Sequence, residues 1–232
     1  LAEEALAILD ESIEHQAKDS HLLCDRAAVY RYLEDAESAQ EDYTSALKVA
    51  VDEVEVSLLR AAFLAHQQQH EDAIQDCDRA LELDDQNGAA FHQRAISRHA
   101  LDQHAPAAED LNKALQLDDA NPQYLLTRGV VLLARAKKKA AHADLARSVE
   151  LDPLCAEAYC HRGRALLALD RPKEALEDLT TTIKMHPHYA EAHLHRGQSL
   201  VRLRKYAEAL EDVDRALELE PNYPDAYICR GT

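Results

Sequence analysis

Small, apolar and charged positions recur along this chain with a fixed period of 34 residues. The recurrence is plainest where 156–189 (AEAYCHRGRALLALDRPKEALEDLTTTIKMHPHY) runs directly into 190–223 (AEAHLHRGQSLVRLRKYAEALEDVDRALELEPNY). Numbered from the first residue of each unit, position 8 is always small: Ala27, Ala61, Ala95, Gly129, Gly163, Gly197 and Gly231. Position 20 is Ala39, Ala73, Ala107, Ala141, Ala175 and Ala209, and position 27 is Ala46, Ala80, Ala114, Ser148, Thr182 and Ala216. At helical spacing, positions 4, 7, 8 and 11 share one face and positions 20, 23, 24 and 27 another. The pattern predicts two helices per unit, meeting through residues small enough to let their backbones approach.

Carried along the chain without an insertion, the register divides it into 20–53, 54–87, 88–121, 122–155, 156–189 and 190–223. Residues 1–19 fit the second helix of a truncated unit, with Ala5 at position 20 and Leu9 at position 24, and 224–232 begin a further one. Repeat arrays normally end in a unit with a polar outer face. Neither end has one, so the expectation is a section of a longer protein.

This period with this pattern resembles the tetratricopeptide repeat (TPR) over essentially the whole chain. The resemblance implies an all-α fold, a right-handed superhelical solenoid of antiparallel helix pairs. Departures gather in the first half. Where the family has Pro at position 32, the first three units have Val51, Asp85 and Asp119, and the last three Pro153, Pro187 and Pro221. Looser junctions are expected there.

The most regular polar feature is Arg at position 7, where the family usually has an apolar residue: Arg26, Arg60, Arg94, Arg128, Arg162, Arg196 and Arg230. Matching it is Asp at position 23: Asp42, Asp76, Asp110, Asp144, Asp178 and Asp212. Both rows lie on the faces that meet. A guanidinium buried alone is costly, and a facing carboxylate offsets that cost. The expectation is one structural Arg–Asp ion pair per repeat; the alternative is an Arg row offered to an acidic ligand.

Charge changes the picture. Of a net −17, residues 1–121 carry 9 Lys/Arg against 27 Asp/Glu, and residues 122–232 carry 17 against 16. The first half repels phosphate, which argues against nucleic acid. The bias reads either as a solubilising surface or as two halves facing different partners. No apolar run approaches the roughly 18 residues of a membrane span. The acidic opening LAEEALAILDE is no signal peptide. Five cysteines, odd in number and without C-x-x-C, point to a reducing compartment. The Arg-Gly and Asp pattern resembles TPR proteins of cytosolic and ciliary assembly work, which implies a cytoplasmic location with cytoskeletal or ciliary work among the options.

No P-loop, nucleophile elbow or dinucleotide fingerprint appears, and the chain reads as no enzyme, with no catalytic residue and no cofactor. The histidine-rich run His186, His188, His193, His195 lacks converging zinc spacing, so no metal is assigned.

The resemblance places partner binding on the concave surface of the first helices. The clamp by which some TPR proteins hold the C-terminal carboxylate of Hsp70 or Hsp90 is missing. Position 5 is Cys24, Leu58, His92, Leu126, Cys160 and Leu194, and no repeat has Lys at position 2. What remains is an apolar groove of Leu126, Val130, Leu133, Cys160, Leu167, Leu194 and Val201 with Arg164, Gln198 and Arg202 as polar accents. Its expected partner is a protein or peptide with apolar anchors and an acidic residue. The chain thus reads as an interaction scaffold or adaptor. Alternatives are the recognition arm of an enzyme whose catalytic domain lies outside this segment, or a non-clamp chaperone cofactor.

Overall fold

The computed structural model describes residues 2–16 and 18–231, and every regular element in them is a helix. Leu1, Ala17 and Thr232, which the sequence places in the two end segments, lie outside the described residues. The chain separates into two compact units, Leu1–Asp119 and Ala120–Thr232.

The first unit holds α1 (Ala2–His15), α2 (Ser20–Tyr32), α3 (Ala36–Val49), α4 (Glu53–His66), α5 (His70–Leu83), α6 (Gly88–Ala100) and α7 (His104–Leu117). Helices α2 and α3, α4 and α5, and α6 and α7 form hairpins, and α4 also touches α2 and α6. Side chains of Asp19, Asp35, Asp52 and Asn87 start helices here, accepting backbone N–H groups of the first turn that have no partner within the helix. The hairpin turns place Glu34, Gln68 and Asp102 at φ of 59–61°, the left-handed region that reverses a chain tightly after a helix.

The second unit repeats this plan with α8 (Pro122–Ala134), α9 (Lys138–Leu151), α10 (Ala156–Ala168), α11 (Pro172–Met185), α12 (Ala190–Arg202), α13 (Tyr206–Leu219) and α14 (Pro224–Arg230). Its hairpins are α8 with α9, α10 with α11 and α12 with α13, and first helices touch in the order α8, α10, α12, α14. Pro122, Pro172 and Pro224 open helices, where a missing N–H costs nothing.

In the second unit each hairpin is closed by a branched side chain at position 24 (Leu145, Leu179, Val213) against the glycine at position 8. A Cβ added to Gly129 would stand 2.6 Å from Leu145 Cγ, and one on Gly163 2.8 Å from Leu179 Cγ. Leu145 and Leu179 are fully buried, each contributing about 1.5–3 kcal/mol of burial. At position 27, Ser148 Oγ donates to the Pro122 carbonyl at 2.8 Å, tying the second helix to the start of the first.

Candidate functional site

The polar rows meet inside the hairpins. In the first unit Arg26 donates Nε and Nη2 to the two carboxylate oxygens of Asp42 at 2.8 and 2.7 Å. Arg60 does the same to Asp76 at 2.7 and 2.5 Å, and Arg94 to Asp110 at 2.9 and 2.6 Å. In the second unit the pairs are Arg128–Asp144 at 2.7 and 2.8 Å, Arg162–Asp178 at 2.7 and 2.6 Å, and Arg196–Asp212 at 2.7 and 2.6 Å. All six Asp residues are buried. Parallel N–H bonds to one carboxylate are the geometry that the guanidinium fork favours. The bonds to Asp76 and Asp178 hold Arg60 and Arg162 charged, raising both above the usual guanidinium value against the effect of burial.

The sequence reading missed a second anchor. Several of these arginines also reach back 16 residues to the preceding second helix: Arg26 Nη1 to Asp10 at 2.6 Å, Arg60 Nη1 to Thr44 at 3.4 Å, Arg94 Nη1 to Asp78 at 2.5 Å and Arg230 Nη1 to Asp214 at 3.4 Å. Arg26, Arg60 and Arg94 thereby each tie three helices. The signal was available at position 25, where Asp recurs without being uniform.

The apolar groove needs correction. Leu126, Cys160, Leu167 and Leu194 are at most 5% exposed and belong to the core between successive first helices. Leu126 packs with Ala158, Cys160 and Leu167 with Ala192, and Leu194 with Ala226. Val130 and Leu133 are partly buried against the same cluster as Leu126. The physical reason is Ala at position 3 of the following helix, which lets that helix close over position 5. Val201 is half-buried and, with Gln198, Arg202, Asp225, Ile228 and Cys229, lines a cavity of about 440 Å³.

Beside that buried stripe on α10 and α12 the side chains are mainly polar. Arg164, with 42% of its side chain exposed, makes one contact of 3.5 Å, from Nη1 to Glu191 Oε1. Glu191 Oε1 also lies 3.3 Å from His195 Nε2, whose Nδ1 is 2.9 Å from Gln198 Oε1. The bond from His195, with His161 and Arg164 nearby, holds the Glu191 carboxyl down at about 2 although burial opposes this. One repeat earlier in the array, His161 Nε2 stands 3.7 Å from Glu157 and its buried Nδ1 has no hydrogen-bond partner. Arg202 Nη1 donates to the carbonyl of Leu167 at 2.8 Å and approaches Asp170 at 3.2 Å. It therefore caps the end of α10. Glu157, His161, Glu191 and His195 occupy positions 2 and 6 of successive repeats, a spacing visible in the sequence but not singled out there.

Other chemistry is sparse. Burial pushes the Cys24 thiol up to about 11 and the Cys77 thiol up to about 12, so both stay protonated and unreactive. Among the described residues no group of three or more His, Cys, Asp or Glu gathers to hold a metal. Among the described residues no helix is long and apolar enough to cross a membrane.

The tetratricopeptide-repeat profile matches residues 24–88, 126–179 and 160–226, more than half of the chain, and the chain belongs to that family. No match was found among curated proteins. Among solved structures, a chain of the APC/C hetero-tetramer Cut9–Hcn1 is similar over 99% of this chain with a TM-score of 0.88 and 15% identity; the match spans 45% of that chain's length. YrrB, a TPR protein with an unusual peptide-binding site, is similar over 83% of this chain and 100% of its own, with a TM-score of 0.63 and 24% identity. A tetratricopeptide repeat protein from Parabacteroides merdae aligns over 99% of this chain and 91% of its own, at a TM-score of 0.78 and 16% identity. These likenesses establish the fold, an all-α solenoid of helix pairs that generally serves as a scaffold for protein–protein interaction.

Proposed function

We propose that this chain is an interaction scaffold whose second unit takes a partner segment along its first helices, with an acidic side chain of the partner bound by Arg164. One observation carries the reading. Arg162, two residues away, has its Nε and Nη2 committed to Asp178 at 2.7 and 2.6 Å, whereas Arg164 rests on one long contact and is 42% exposed. A guanidinium with donors to spare, in a partly desolvated trough, binds a carboxylate with charge-assisted bonds. Val201 and Ile228, at the cavity beside Gln198 and Arg202, supply apolar contact for the flanking residues. The exposed cations Lys137, Lys138, Lys139, Arg171 and Lys173 would speed capture of an acidic partner, more at low salt.

Selection from a displayed peptide library tests this. The expected winners carry Asp or Glu beside apolar residues, and Arg164→Glu weakens them at least tenfold while the helical spectrum is unchanged. Winners that are uniformly basic, or that bind Arg164→Glu as well as the native chain, overturn it.

A further inference from the structure

In the α6–α7 hairpin of the first unit two imidazoles meet by their corners. His99, in the last turn of α6, and His104, the first residue of α7, place their Nδ1 atoms 3.0 Å apart, with ring centroids at 4.9 Å and planes tilted by 46°. The rings do not stack. Their nitrogens converge.

The backbone of the turn does not require this pair. The turn is held by Asp102 N–H donating to the His99 carbonyl at 3.0 Å and Gln103 N–H to the Arg98 carbonyl at 2.8 Å. The same two backbone bonds close the other five hairpins, as at Glu34 to Arg31 and Asp35 to Tyr30. There the equivalent side chains are Arg31 and Ala36, Ala65 and His70, Leu133 and Lys138, Leu167 and Pro172, and Val201 and Tyr206. Two converging imidazoles are peculiar to one turn of the six.

We propose that His99 and His104 form a two-imidazole site for a divalent transition metal, of the copper(II) or nickel(II) class, with water completing the coordination. Metal–imidazole bonds run about 2.0–2.1 Å. Two nitrogens 3.0 Å apart then subtend about 91–97° at the metal. That is the angle of neighbouring ligands in a square-planar or octahedral ion; a tetrahedral ion needs nitrogens about 3.3 Å apart. The proton now shared between the two Nδ1 atoms would leave as the ion binds. Asp102 stands nearby: its carboxylate is almost fully exposed, with Oδ1 3.6 Å from His104 Nε2, longer than a hydrogen bond. Closing to hydrogen-bond distance as a metal binds, that carboxylate would favour the tautomer with the proton on Nε2 and the Nδ1 lone pair free for the metal, the usual arrangement for a ligating histidine. The left-handed Asp102 backbone, at φ 59°, fixes that carboxylate's origin in the turn.

Titration of copper(II) chloride into the full chain, followed by paramagnetic broadening of backbone amides, tests the site against the other eleven histidines, thirteen being present in all. The first equivalent should broaden residues 97–106 before 186–195, and nickel(II) should follow the same order with zinc(II) binding more weakly than either. His99→Ala and His104→Gln should each lower copper affinity at that position at least tenfold, and Asp102→Asn several-fold, with unchanged circular dichroism. Because neither imidazole is needed for the turn, the variants should fold. First broadening at His186 and His188, or broadening of 97–106 that survives His99→Ala and His104→Gln, overturns the assignment.

Discussion

Arg162 grips Asp178 through two bonds of 2.7 and 2.6 Å, and the Tyr159 ring lies beneath its guanidinium at 5.2 Å. The carboxylate is buried and the guanidinium nearly so, with 9% and 21% of their side chains exposed. By contrast, Glu174 pairs with Arg171 at the surface, three residues along the same chain.

Asp178→Ala leaves a largely desolvated cation without its counter-charge. It should cost about 2–4 kcal/mol, toward the lower end because Arg162 keeps some contact with water. Glu174→Ala removes a pair exposed on both sides and should leave stability almost unchanged. Thermal melts of the two variants check this. Equal small shifts would mean that the pair orders the hairpin without stabilising it.

Much of this was legible because it repeats. Six arginines and six aspartates at constant positions need only helical periodicity to be placed on facing surfaces, and the family follows from the period itself. The trough was harder to read. Periodicity puts Leu126, Cys160 and Leu194 on one stripe of their helices but does not say what covers that stripe. The covering is done from the next repeat by Ala158, Ala192 and Ala226, each of which contributes only a methyl group. The polar residues beside Arg164, Glu191 and His195, recur only in the neighbouring repeat, as Glu157 and His161, and so carry a far weaker periodic signal than the Arg and Asp rows.

Gly163 and Leu179 give a second prediction. An added Cβ would meet Leu179 Cγ at 2.8 Å, and Cγ is the branch point, so the whole side chain must move. Gly163→Ala gains about 1 kcal/mol of helix propensity but overpacks a fully buried contact, which costs about 1–3 kcal/mol. A net loss of stability is expected. Pairing the change with Leu179→Val should recover part of it, and a double-mutant cycle in urea measures the coupling. A stabilised Gly163→Ala would show that the hairpin opens without cost, as the alanines at the same position in the first unit permit.

A third prediction concerns the turns. Ala136 has φ 55° and Arg204 φ 61°, a conformation in which a Cβ costs roughly 1–2 kcal/mol. Ala136→Gly should raise stability by about 1 kcal/mol, because relief of that strain exceeds the entropy glycine adds to the unfolded chain. Asp170→Gly, at φ 59°, should gain less, since Asp tolerates the left-handed region better. Comparing the two melting temperatures checks the order. Equal gains would mean that the side chain at this position is irrelevant to the strain.

The last prediction is a pH dependence in the first unit. Burial pushes His92 down from 6.5 to about 4. In the folded chain it therefore stays neutral where the unfolded chain has already taken up a proton. Between these two values the unfolded state binds more protons, so stability rises with pH across that window. The contribution is fully present above about 6.5 and is lost as pH falls toward 4. Relief of repulsion among the many carboxylates of this unit acts in the opposite direction, mostly at lower pH. His92→Gln isolates the first effect. It should flatten the dependence of the urea midpoint between pH 6.5 and about 4 while leaving the lower-pH limb intact. A slope that persists in His92→Gln would assign the dependence to another group and show that His92 titrates alike in both states.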